Sequence, residues 1–203
     1  MGRLIADISM SLDGFIAGPN DSVDQLHEWL YDLAGWRVPH GLEGGNSGTD
    51  SDVVEEVVSN TGAVIMGRRL FDLGEGPWGD NPPFHVPAFV VTHNPRETVV
   101  KEGGTTFNFV TGGIESALEQ ARAAAGDKDI SVGGGANVIQ QYLSAGLLDE
   151  IQIHLVPVLL GDGRRLFEHI AVDRIELETT RVIESPGVTH LRYRVIPARI
   201  PDR

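Results

Sequence analysis

"SVGGGANVI" at 131–139 places three consecutive glycines between a short apolar run and a segment of helical character. Glycine loses the most conformational freedom on folding, so a triplet points to a backbone conformation or a close approach that a Cβ would block. A strand end, three glycines and a helix start would leave backbone amides and the positive end of a helix dipole facing outward, which is an anion site. The spacing is neither the dinucleotide fingerprint G-x-G-x-x-G nor a Walker loop, which ends in GK[ST]. A tight strand-to-helix turn without any ligand accounts for the triplet equally well.

"MGRRLF" at 66–71 repeats the pattern and adds two guanidiniums. Arginine forks suit bidentate contact with phosphate, and beside a helix start they would select a doubly charged monoester such as the 2′-phosphate of NADP. The competing reading is two solvated arginines offsetting acidic neighbours. "AFVVTH" at 88–93 is a third strand reading, ending in Thr92 and His93 and closed by a helix-excluding "NP". In an open α/β sheet, ligands bind outside the carboxyl ends of the strands. One crevice can therefore collect Met66-Gly67, Thr92-His93 and Gly133 to Gly135.

Two acids are candidates for proton donation. Residues Leu4 to Leu12 alternate, with Ala6, Ile8, Met10 and Leu12 on one face and Asp7, Ser9 and Ser11 on the other. That polar face either meets solvent or lines a cleft, where a buried Asp7 would have a raised pKa. Asp13, in the "LDG" turn, is either an acid or a turn residue bonding its own backbone. His154, on a strand with Gln152 and Val156, reads as a satisfied structural histidine or a catalytic one, and Trp29 and Trp78 as core or pocket wall. "GDGRRLFE" at 161–168 reads as a solvated hairpin or loop, whose arginines would serve a dimer contact or a substrate mouth.

The elements that must position these groups follow from periodicity. Residues 21–34 have Leu26, Trp29, Leu30 and Leu33 at helical spacing, with Asp21 or Ser22 as the cap. Residues 35–51, rich in Gly, Asn, Ser and Thr, read as a long surface loop. A helix over Asp52 to Ser59 precedes a buried strand at Ala63 to Met66 and a helix after the arginines. Another helix spans 114–124, with Ile114, Leu118 and Ala121 on one side. After the strand at Asp129 to Val132 come the glycines, a helix from Ala136 to Ala145 and the strand "EIQIHLVPVLLG". Two alternating segments, 175–183 and 189–197, close the chain. The order predicts one α/β domain over residues 1–203, with a mixed, mostly parallel sheet, helices on both faces and a C-terminal antiparallel meander.

Composition narrows the function. Sixteen basic against 29 acidic residues give a net charge of −13, which repels a phosphate backbone and an anionic membrane, so a small molecule is the expected partner. With no cysteine, thiolate chemistry and cysteine-ligated zinc are excluded. No apolar stretch has signal-peptide or membrane-spanning length, so the expected location is the cytoplasm.

"LIADISMSLDGFIAG", "AVIMGRR", "VVTHNP" and "VGGGANVIQQYLSAGLLDEIQIHLVPVLLGDG" together resemble the dihydrofolate reductase superfamily, in order, from about residue 3 to 196. Within it they are most similar to the reductase domain of the bifunctional riboflavin-biosynthesis deaminase-reductase. The resemblance implies a dihydrofolate-reductase-like three-layer fold, NADPH as hydride donor and a homodimer. It would have Gly67, Arg68 and Arg69 hold the adenosine phosphates, and Thr92 and His93 sit by the 2′-phosphate and adenine. Gly133, Gly134, Gly135, Ala136 and Asn137 would cradle the pyrophosphate. One departure is Phe15, which stands where the riboflavin-pathway reductases carry a lysine facing the substrate's phosphoribityl end. The expected activity is reduction of a small heterocyclic or carbonyl substrate. The alternatives are 5-amino-6-(5-phosphoribosylamino)uracil reduction and a nucleotide-binding scaffold without catalysis.

Overall fold

The computed structural model describes residues 2–170 and 174–196. The alternating segment at Leu4–Ser11 forms β1, and its apolar and polar faces decide what it touches. It lies mid-sheet between β7 (Asp129–Gly134) and β8 (Glu150–Val156), parallel to both. Beyond β7 come β3 (Thr61–Gly67), β4 (Pro87–Val91) and β6 (Thr106–Val110), all parallel, with the two-residue β5 (Val99–Val100) antiparallel at the edge. Beyond β8, β11 (Val188–Ile196) and β10 (Glu176–Ser185) form the antiparallel meander. The order is β10-β11-β8-β1-β7-β3-β4-β6-β5. A second, two-stranded sheet pairs β2 (Phe15–Ala17) with β9 (Arg164–Arg165).

Alternation along the central strands divides the core in two. Leu4 and Ala6 of β1, Ala63 and Ile65 of β3, and Ile130 and Val132 of β7 pack with Ile114, Leu118 and Ala121 of α5 (Gly113–Ala125) and Ile139 and Tyr142 of α6 (Ala136–Ser144). Tyr142 is fully buried and its hydroxyl donates to the Ile114 carbonyl at 2.7 Å, so the one polar atom of that large side chain is satisfied. The alternate residues, Val64 and Met66 of β3 and Ala88 and Val90 of β4, pack with Phe71 of α4 (Arg68–Trp78) and Phe107. Each of the larger apolar side chains, Val and above, contributes roughly 1.5–3 kcal/mol by leaving water. Helices thus cover both faces. Trp78 packs half-buried against this second cluster, stacked 5.9 Å from Phe107.

The structure corrects three local readings. The helix expected over 21–34 is shorter, α1 (Asp24–Tyr31), and neither Asp21 nor Ser22 caps it. Asp21 instead sits at a positive φ of 61° with its carboxylate turned to Arg69 and Arg164, an ion pairing that a cap would forgo. The expected loop at 35–51 contains a short helix, α2 (Ala34–Arg37), and a 3-10 turn (Val38–His40), and α3 (Thr49–Asn60) takes up its end. Trp36 lies 4.1 Å from the His40 ring, and Ala34 and Asn46 are joined by a 2.9 Å backbone bond, tertiary contacts that composition does not encode. The arginines at 164–165 form β9 rather than a solvated loop.

Candidate active site

Because β7, β3 and β4 are adjacent and parallel, their carboxyl ends open on the same side of the sheet. A cavity of about 840 Å³ lies there, lined by Gly67, Arg68, Arg69, Thr92, His93 and the whole of Gly133 to Asn137. Gly134 has φ 124°, which an L side chain rarely adopts. Gly67 brings its backbone against α6, where a Cβ would lie 3.1 Å from Val138 Cγ2 and 3.5 Å from the Gly135 nitrogen. Around Gly135 a Cβ would meet nothing within 4 Å, leaving open space over its backbone.

Gly67 and Gly135 are the N-caps of α4 and α6, so neither helix has a side-chain cap, and neither carries an acid in its first turn. By contrast α1, α3 and α5 each have an acidic residue there. Two uncapped amide clusters and two helix dipoles therefore face one cavity, which suits two anionic groups. Four arginines line it against three carboxylates, Asp7, Asp21 and Glu168, among the described residues. This reverses locally the sign of a chain with net charge −13.

The arginines are not free. Arg68 Nε donates to Asp72 at 2.7 Å, and Arg69 grips Asp21 with both donors. Asp21 also accepts from Arg164, and its bonds to these arginines, Arg69 foremost, hold its carboxyl below the usual range. Thr92 is buried, with its hydroxyl accepting from the Asn94 amide at 3.1 Å, and His93 is exposed.

At the other end of the cavity the polar face of β1 supplies Asp7 and Ser9. Trp29 Nε1 reaches Ser9 Oγ at 3.3 Å, so Trp29 is a wall of the cavity. His27 lies beside it, and burial, with His154 nearby, lowers its imidazole pKa. Asp7 Oδ1 contacts His154 Nε2 at 2.9 Å. Arg165 lies 4.3 Å over the Phe15 ring and donates to the Asp13 carbonyl at 3.0 Å.

Asp13 does not line the cavity. Its carboxylate accepts from Ser11 Oγ at 2.6 Å and from the amides of Leu160 (3.2 Å) and Gly161 (2.8 Å), bonds that bring its pKa down to about 2, the Ser11 bond foremost. Such an acid gives up its proton long before neutrality, which favours the turn role. Its contribution to holding the 160–161 backbone should be complete above the ordinary value of 3.8 and fade as pH falls toward about 2. Amide exchange at Leu160 and Gly161 through that window measures it. Exchange that stays flat in acid would show that the carboxylate does not anchor the loop.

Sequence reasoning missed the site roles of Asp21, His27 and Trp36, all of which line the cavity, and the pairing of His154 with Asp7 and His190. None of them has a local pattern that marks it, since Asp21 meets Arg69 across 48 residues and Asp7 meets His154 across 147.

A mostly parallel sheet of this order, with cofactor-sized space at its strand ends, defines a dihydrofolate-reductase-like α/β protein. The chain belongs to the RibD C-terminal domain family, a reductase family whose pattern matches residues 3–191. It is 27% identical over 204 residues to YyaP of Bacillus subtilis, an uncharacterized protein, covering 94% of each chain. A Shewanella sp. PV-4 structure named for riboflavin biosynthesis aligns with TM-score 0.72 at 23% identity, covering 97% of this chain and 99% of that one. Dihydrofolate reductase from Enterococcus faecalis, complexed with NADP(H) and RAB-propyl, aligns with TM-score 0.52 at 16% identity over 96% of each chain. Among the described residues, no helix is long and apolar enough to cross a membrane.

Proposed function

We propose that this protein is an NADPH-dependent reductase of a small heterocyclic or carbonyl substrate. The observation that carries the reading is the convergence of two uncapped, acid-free helix starts and the open backbone of Gly135 on one arginine-lined cavity. Gly133 to Asn137 hold the pyrophosphate, while Gly67, Arg68, Arg69, Thr92 and His93 hold the adenosine end and its 2′-phosphate. Bound there, NADPH supplies a hydride. Trp29, His27 and Ser9 wall the remaining space, and Asp7 presents a carboxyl group to whatever occupies it.

Arg165 favours a second reading within this class. Phe15 removes a cation expected near a phosphorylated substrate, and the Arg165 guanidinium stacked on its ring returns one at the cavity wall. This is the charge that 5-amino-6-(5-phosphoribosylamino)uracil would require. A nucleotide-binding scaffold would show binding without turnover.

Titration with NADPH, followed by tryptophan fluorescence and thermal shift, tests the first step. Oxidation of NADPH with the pyrimidine, with dihydrofolate and with simple aldehydes then sorts the readings. Failure of NADPH, NADH and NADP alike to bind would overturn the reductase. Arg68→Ala and Arg69→Ala should each cost about 1.5–3 kcal/mol of NADPH binding, as expected for charge-assisted bonds, and leave NADH little changed. Equal losses for both cofactors would remove the 2′-phosphate assignment. We also propose a homodimer, which a molar-mass measurement by light scattering checks.

A further inference from the structure

Asp7 begins a chain of four ionisable side chains that the cofactor cradle does not use. His154 Nε2 meets Asp7 Oδ1 at 2.9 Å, His154 Nδ1 meets His190 Nδ1 at 2.7 Å, and His190 Nε2 meets Asp50 Oδ1 at 2.9 Å. Both rings are buried, their side chains 8% and 3% exposed, and Trp29 packs on both at 4.9 and 5.3 Å. Asp7 lines the cavity, whereas Asp50, 21% exposed in the first turn of α3, lies outside its lining. The chain therefore has one end in the cavity and the other at a separate, partly open place.

Three hydrogen bonds need three protons. Two neutral imidazoles and two carboxylates carry only two, so with both rings neutral and both acids ionised one contact would set lone pair against lone pair. With a third proton every bond is made, and the extra proton can reside on Asp50, His190, His154 or Asp7 without breaking any of them. Each state follows from its neighbour by one hop along an existing bond. Burial pushes the His190 imidazole below its usual range, against the pull of Asp50.

The surrounding charges are tied differently. Asp7 also borders a small cleft shared with Glu56, Asp129 and Arg192. Arg192 binds Glu150 and Glu56, Arg181 binds Glu56, and Arg3 binds Asp129 and Glu150. Those acids face guanidiniums, which do not release protons, whereas Asp7 and Asp50 face imidazoles, which do. His27 on α1 lies near His154 with Asp24 acting on it in turn, and Asp52 shares the first turn of α3 with Asp50.

We infer that Asp50, His190, His154 and Asp7 form a proton store and relay that delivers to the cavity at Asp7 and refills from solvent at Asp50. The inference rests on the reductase reading for its purpose, since reducing an imine or carbonyl consumes one proton besides the hydride from the nicotinamide cofactor. In the transfer the Asp7 O–H bond breaks and an N–H or O–H bond forms on the substrate. The two imidazoles are then left with their protons on His154 Nδ1 and His190 Nε2, so the pair must release and retake those protons before one from water, entering at Asp50, restores three. Asp7 is the catalytic acid, and the other three are positioning and supply residues.

The test is imidazole NMR on the full chain labelled with 15N-histidine, with NADPH titrated into the same samples. The native protein should carry three protons on the Asp7–His154–His190–Asp50 chain at neutral pH, counted as imidazole N–H by 15N and as protonated carboxyl by 13C shifts with the aspartates also labelled, one of them a far-downfield proton shared between the two Nδ1 atoms. Asp50→Asn, nearly isosteric, should lose that third proton about one pH unit lower and slow its exchange with water about tenfold. Two neutral imidazoles in the native protein, with the 13C carboxyl shifts of Asp7 and Asp50 both those of ionised acids, would overturn the store without reference to any variant. Unchanged exchange in a folded Asp50→Asn would overturn the relay. If NADPH fails to bind while three protons are counted, the reductase reading falls and the proton store stands; if it binds and only two are counted, the reverse holds.

Discussion

Gly135→Val should raise the NADPH dissociation constant about a hundredfold, close to 2.8 kcal/mol. The chain itself should tolerate the change, because Gly135 sits at φ −78°, ψ −177°, extended backbone open to any residue, and a Cβ there meets nothing within 4 Å. The added methyls would occupy the space where the first amides of α6 receive the pyrophosphate, displacing an anion that has nothing equivalent to bind. Fluorescence titration measures the loss, and a thermal melt within a few degrees of the native midpoint confirms the fold. Gly134→Ala separates the two effects: its φ of 124° is strained for alanine, so it should lower stability itself by about 1–3 kcal/mol. Undiminished NADPH affinity in Gly135→Val would place the anion elsewhere and remove the main support for the reductase.

Phe71→Ala should cost about 3–5 kcal/mol of folding stability, a large part of the 5–15 typical of a domain. Phe71 is wholly buried on α4, edge-on to Phe107 and Phe109 with ring centroids 5.0 Å away, and Arg96 lies 5.2 Å over its ring. Truncation would leave a cavity between α4 and the β3–β4 face and loosen the helix three residues after Arg68. Urea denaturation reads the stability, and NADPH affinity should fall with it, because the first turn of α4 loses its seat. A cost below about 1 kcal/mol would show that other contacts fix α4.

How much of this was legible depended on range. The triplet at 133–135 and the "MGRR" segment were readable because a strand end, a glycine and a helix start are consecutive in the chain, while their adjacency comes from the sheet order β7-β3-β4. Asp7 was readable from alternation, though not whether its face was wet or lined a cleft. The boundaries of α1 and the content of 35–51 were not, since Asp21 prefers two arginines brought by α4 and β9 over capping the helix. Asp13 looked as eligible as Asp7 until its carboxylate was seen bound to the 160–161 backbone.

The sequence by itself determined the layered α/β order and the glycine and arginine positions at the strand ends, because these depend on local backbone preference and on periods of two and 3.6 residues. Only the tertiary structure decided which charges meet. It spent Arg69 on Asp21, laid Arg165 over Phe15, and joined Asp7, His154, His190 and Asp50 into one hydrogen-bonded line. Those pairings span 36 to 150 residues, and no spacing rule operates at that distance; they exist because β8 lies between β1 and β11, with α3 beside them.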